Sequence, residues 1–86
     1  MAYEHSEQPT GSVGKEAELE MLREDLVGEL QAINQYQQHI DSIYDEDARH
    51  VLEHIRDDEK EHVAELMKII QRLDATQKAK FEKEGL

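Results

Sequence analysis

Apolar residues recur through the second half of the chain at Ala48, Leu52, Ile55, Leu66, Ile69 and Leu73, and two polar residues, Glu59 and His62, fall on the same line. With those two included the steps run 4, 3, 4, 3, 4, 3, 4, the spacing of a helix that buries one stripe. The first half repeats the pattern: Leu19, Leu22, Leu26, Ile33, Ile40 and Ile43 are joined by Glu29 and Tyr36 at positions where apolar side chains belong. The spacing predicts one helix from near Lys15 to about Ser42 and another from about Glu46 to Leu73, linked through Ile43–Asp47. Ser12 reads as an N-cap of the first helix. Asp45 reads as the N-cap of the second, with Glu46 and Asp47 suited to its positive end. A tight link between long helices makes them antiparallel neighbours. A short third helix follows Asp74, because Asp74-Ala75-Thr76-Gln77 reads as a capping box; it is basic through Lys78, Lys80 and Lys83 and has Phe81 as its one aromatic anchor. Residues 1–14, with Pro9, Gly11, Ser12 and Gly14, lack helical periodicity and read as a flexible N-terminal tail. The expected fold is all-α, with residues 15–86 forming an antiparallel two-helix hairpin plus a short C-terminal helix.

About 70 residues are then left for structure, which is little for a self-sufficient core. Aromatic residues make up only 5% of the 86-residue chain and charged ones 36%. Self-association is the expected source of the missing core, two hairpins dimerising into a four-helix bundle. A net charge of -11 argues against nucleic acid as a partner, since phosphate binding needs clustered Lys and Arg; it suits a protein that attracts cations. The chain has no cysteine, so a metal would be held by oxygen and imidazole. No apolar run approaches the roughly 18 residues of a membrane span, and nothing reads as a signal peptide. The cytoplasm is the default location.

Glu59 and His62 carry the chemistry. A carboxylate taken out of water without a partner costs several kcal/mol or shifts its pKa until neutral, so a Glu-x-x-His on a buried stripe calls for a cation. Glu29 lies about ten residues before the end of the first helix and Glu59 about fourteen after the start of the second, so at about 1.5 Å per residue both stand roughly 15–21 Å from the turn. They meet at mid-hairpin. A dinuclear carboxylate site in a four-helix bundle takes one Glu from each of two helices and one Glu-x-x-His from each of the other two. This chain supplies half of that set. Two copies related by a two-fold axis would complete it, each metal seeing Glu29, His62 and two bridging Glu59 side chains. A lone polar residue on a seam more often sets register than binds metal; three of ligand type in di-metal spacing on adjacent helices favour the site. Tyr36, one heptad after Glu29, suits either a core tyrosine or a hydrogen bond to a ligand carboxylate. His54, Asp58 and Glu61, on another face of the second helix, form a candidate secondary metal site or an ordinary solvated face. His50 stands four residues before His54, a spacing that captures transition metals adventitiously, whereas His5 and His39 carry no signal.

The run Glu29-Leu30-Gln31-Ala32-Ile33-Asn34-Gln35-Tyr36, followed by Arg56-Asp57-Asp58-Glu59-Lys60-Glu61-His62, resembles the encapsulated ferritins, short ferritin-like proteins housed in encapsulin nanocompartments. The resemblance covers about Leu26 to Leu66. It implies a ferroxidase that oxidises Fe(II) at a di-iron site across a homodimer interface, with Glu29, Glu59 and His62 as ligands, Tyr36 as the site tyrosine, and His54, Asp58 and Glu61 as an outer secondary site. It further implies a ring of dimers, commonly a decamer, and an encapsulin shell that stores the mineral. Ca, Mn or Zn could take the place of iron. The alternative is a non-catalytic helical module in which such a metal locks the oligomer. The chain departs from the family in having Gly28 and Gln31 where acidic residues often flank the first ligand, and Gln35 where a Trp precedes the tyrosine, which leaves the metal's route to the site open. No encapsulin-targeting peptide is read after Gly85-Leu86.

Overall fold

The structure, a computed structural model, describes residues 12–86: α1 spans Ser12–Ser42, α2 Glu46–Leu73 and α3 Ala75–Lys83. The first helix starts three residues before the expected Lys15. Residues 1–11 of the expected tail, His5 among them, lie outside the described residues, and so does the Ser12 side chain expected to cap α1.

The turn is built as its residues dictate. Asp45, in extended backbone, accepts a hydrogen bond on its side chain from the Ala48 N–H at 2.9 Å, and Glu46 and Asp47 occupy the first turn of α2. The Arg49 guanidinium donates to the Ile43 carbonyl at 2.8 Å, satisfying an acceptor that the end of α1 leaves free. Farther along, Arg56 Nη1 donates to Gln37 Oε1 at 2.9 Å, tying α2 to α1 just before the Glu59 turn.

The far end is held by Asp74. Its side chain accepts from the Gln77 N–H at 3.1 Å and from Arg23 Nη2 at 3.0 Å, so one carboxylate caps α3 and anchors it to α1. Its own N–H donates to the Ile70 carbonyl at 2.8 Å; the reciprocal half of a capping box is therefore replaced by a bond that finishes α2. Phe81 packs with Leu26, Met67 and Ile70 around a small cavity of about 110 Å³. Beyond α3, Gly85 adopts φ 80°, and the Gly85 and Leu86 N–H groups donate to Glu82 and Phe81 carbonyls at 3.1 and 2.9 Å, the Schellman closure that favours glycine.

The hairpin is one helix layer thick. Its extents are 52 × 35 × 14 Å and its radius of gyration is 16.8 Å, against about 12 Å for a globular chain of this length. Among the described residues only Leu19, Ile40 and Ile70 are buried, while Met21, Val27, Leu30 and Val51 are 48% to 57% exposed. Leu19 and Ile40 belong to the expected seam, but Ile70 does not. A strict seven-residue repeat drifts by about 20° per heptad on a straight helix, so near the end of α2 the line of contact passes from Ile69 to its neighbour. Ile69 and Leu66 instead line an open groove. Among the described residues no helix is long and apolar enough to cross a membrane.

Removing the cap in Asp45→Ala is expected to cost about 1 kcal/mol of folding stability in denaturant melts. The Gln77 N–H first, and then the Arg23 guanidinium, hold the Asp74 carboxyl below its ordinary pKa despite partial desolvation. A depressed folded pKa means that the ionised group stabilises the fold above its unfolded pKa of about 4 and loses that effect as pH falls through the folded value. Asp74→Asn should therefore melt below the parent at neutral pH, with a gap that closes as the pH is lowered past about 4.

Candidate metal centre

Glu29 projects from the middle of α1, and Glu59 and His62 from successive turns at the middle of α2. Because the helices are antiparallel and the Arg56 to Gln37 bond fixes their offset, the three side chains converge. His62 Nδ1 lies 3.3 Å from Glu29 Oε1 and 3.4 Å from Glu59 Oε1, and one ligand atom from each residue lies within 4.8 Å of the other two. Nitrogen and oxygen ligands about 2.1 Å from a first-row metal ion stand about 3.0–3.4 Å apart around it, depending on geometry. The two distances from His62 match that requirement. The donor set, two carboxylates and an imidazole without sulfur, suits iron, manganese or zinc.

The triad sits at the surface of an open groove of about 740 Å³, whose walls include Asp25, Gly28 and Ala32 from α1 and Leu66 and Ile69 from α2. The side chains of Glu59 and Glu29 are 18% and 26% exposed and that of His62 48%. Glu59 beside it, through hydrogen bonding, and then desolvation raise the Glu29 carboxyl above its ordinary pKa, against the opposing pull of His62. Desolvation presses the His62 imidazolium downward, but hydrogen bonds to Glu29 and Glu59 and the charge of both carboxylates outweigh it and raise the pKa. In the protomer, then, the two acids favour a positive charge at the imidazole between them. A cation bound there would meet the same two carboxylates and compete with protons for the site.

Other expected site residues are placed differently. Tyr36 is half-buried on α1 and makes no hydrogen bond to the triad among the described residues. His54, Asp58 and Glu61 are exposed, and among the described residues Glu29, Glu59 and His62 alone gather as three potential ligands. His54, Asp58 and Glu61 all come from α2, and among the described residues their ligand atoms are not gathered into one group. His50 pairs with Glu53 at 3.2 Å, and His39 lies in the last turn of α1. Sequence reasoning missed Glu24, Asp25 and Glu65, which line the same groove as the triad. Asp25 stands four residues before Glu29 and Glu65 three after His62, a helical spacing that could have pointed to them. At Gly28 an added Cβ would meet nothing within 4 Å, so the groove is wide there.

An all-helical hairpin with a carboxylate and a Glu-x-x-His converging at its centre defines a ferritin-like protein. The sequence matches the family model described as EncFtn-like over residues 5–84, and the chain belongs to that family. It is 45% identical over 58 residues to the encapsulin nanocompartment cargo protein EncC of Myxococcus xanthus (strain DK1622), a match that covers 67% of this chain and 45% of that protein. The chain thus spans less than half of that relative's length. Its fold is similar to the crystal structure of the encapsulated ferritin domain from Pyrococcus furiosus, with a TM-score of 0.78 and 32% identity, covering 93% of this chain and 79% of the other.

Glu29→Ala and His62→Ala are each expected to weaken binding of a Co(II) probe by at least about tenfold in calorimetric titration. His54→Ala should leave the affinity within about twofold of the parent, as expected for an exposed residue away from the converging donors.

Proposed function

We propose that the chain is a ferroxidase in which two protomers join across the open groove and complete a di-iron site. The observation that carries the reading is the convergence of Glu29, Glu59 and His62 from two helices onto one exposed point. A protomer offers three donors and an open side; ferrous substrate needs more. A two-fold axis through the groove doubles the set to four carboxylates and two imidazoles, with each Glu59 bridging, the ligand pattern of dinuclear carboxylate bundles. The same contact would cover the apolar wall that a single hairpin leaves open.

The chain's own groups would divide the work. Glu29 and His62 fix each Fe(II), and the two Glu59 carboxylates hold the pair at bridging distance. Each Fe(II) would give one electron to dioxygen, which with the two electrons and two protons from solvent would leave as hydrogen peroxide. Anionic ligands favour the more highly charged Fe(III) product and so assist its formation. The raised pKa values of His62 and Glu29 in the protomer mean that ferrous substrate would compete with protons for both groups. Family membership, together with an encapsulin cargo protein among the relatives, supports assembly of such dimers into a ring, commonly a decamer, and delivery to an encapsulin shell in which the ferric product is stored.

Aerobic addition of Fe(II), followed by the growth of ferric absorbance, tests the activity. The parent should oxidise iron at least about tenfold faster than Glu59→Ala or His62→Ala, the size of loss expected when a metal ligand is removed. Equal rates in all three would refute the assignment. If metal drives assembly and no protein oxidises iron faster than buffer, the chain is instead a module that a metal locks together.

A further inference from the structure

An imidazole has two ring nitrogens, and the triad uses one of them. Nδ1 of His62 faces Glu29 and Glu59 at 3.3 and 3.4 Å, so it is the nitrogen that a metal held by those carboxylates would meet. A ligating imidazole is neutral and carries its hydrogen on the other nitrogen, here Nε2. An acceptor for that hydrogen fixes both the tautomer and the direction of the ring. Three further acids line the groove, Glu24 and Asp25 from α1 and Glu65 from α2, and helix direction separates them. Side chains on a helix lean toward its N-terminus. Glu65 follows His62 by three residues, one turn along the same face, so its lean carries the carboxylate back toward the imidazole. Glu24 and Asp25 precede Glu29 on a helix that runs the other way, as the bonds from Arg23 to Asp74 and from Arg56 to Gln37 show. The same lean carries them away from the triad. Among the described residues Glu65 is exposed and has no ion-pair partner, so its carboxylate is uncommitted.

We propose that Glu65 is a positioning residue whose carboxylate accepts the Nε2–H of His62 and so holds the ring with Nδ1 turned toward Glu29 and Glu59. Glu65 acts through the imidazole and is not itself a ligand. A carboxylate in this place makes the imidazole a better donor to a cation and spares it the search among ring orientations that a half-exposed side chain otherwise makes. The inference rests on the reading of the triad as a metal site and adds to it the residue that orients its one nitrogen ligand.

Co(II) is the probe, added to the full chain. It is paramagnetic and shifts the ring N–H proton of a ligating imidazole far outside the ordinary proton range, where its exchange with water is read by NMR; calorimetry gives the Co(II) affinity of the same samples. The parent is expected to show a solvent-exchangeable resonance of this kind that His62→Ala lacks. In Glu65→Ala its exchange should be at least about tenfold faster, the protection that a hydrogen bond to a charged acceptor confers, and Co(II) affinity should fall by about tenfold. Glu65→Gln, whose amide oxygen still accepts, should lie nearer to the parent, and Asp25→Ala should match it. Because Glu65 is exposed on a helix, its replacement by Ala leaves the fold in place. Exchange in Glu65→Ala equal to that of the parent would overturn the role of Glu65, and so would equal acceleration by Asp25→Ala, which would mark a general effect of groove charge. Co(II) binding that depends on His62 without any exchangeable resonance would overturn the role of Glu65 while leaving the metal reading in place. Co(II) affinity unchanged in His62→Ala would overturn both.

Discussion

Two carboxylates from neighbouring helices, Glu29 and Glu59, share one imidazole on the open face of a plate only 14 Å thick. That contact is the physical constraint from which the rest follows. Like charges so close destabilise one another unless a proton or a cation lies between them, and the His62 imidazole, whose pKa both carboxylates raise, stands at that place. Everything else in the hairpin keeps the three side chains at one height: the Asp45 cap and the Arg49 bond set where α2 begins, and the Arg56 to Gln37 bond sets its offset against α1.

The thinness of the fold connects this polar centre to its surroundings. A single layer of helices covers one stripe of each, which here buries Leu19, Ile40 and Ile70 and leaves Leu66, Ile69 and the triad beside a groove. An isolated protein of this shape is short of apolar burial for its length. The unfinished donor set and the unfinished core lie on the same face, so one covering partner would complete both. Asp74 and Arg23 complete the frame at the other end, where α3 is drawn onto α1 and Phe81 closes over Ile70.

Much of this was legible in the sequence, because the signals were local or periodic. The bounds of α2, the Asp45 cap and the break at Asp74 follow from backbone hydrogen bonding that side chains next to the break satisfy. Glu29, Glu59 and His62 were legible because polar residues on an otherwise apolar line are conspicuous. Ile70 was not, since the contact line drifts from a strict heptad and no local residue marks where it changes over. Glu24, Asp25 and Glu65 were hidden for another reason: an acidic residue lining a groove has the same sequence surroundings as one facing bulk water. His54, Asp58 and Glu61 show the converse, a spacing that suits a metal on a helix surface although their ligand atoms are not gathered among the described residues. The position of Tyr36 on the seam is reproduced as half-burial, and among the described residues it makes no hydrogen bond to Glu29, Glu59 or His62.

The central claim is that Glu29, Glu59 and His62 are half of a centre shared by two copies. Anomalous scattering from a crystal soaked in Fe(II) without oxygen, recorded at the iron edge, tests it most directly. The account predicts two iron peaks related by a two-fold axis, each held by Glu29 and His62 of one protomer, with both Glu59 carboxylates bridging them. A single iron held within one protomer, or iron only at His54, Asp58 and Glu61, would contradict it.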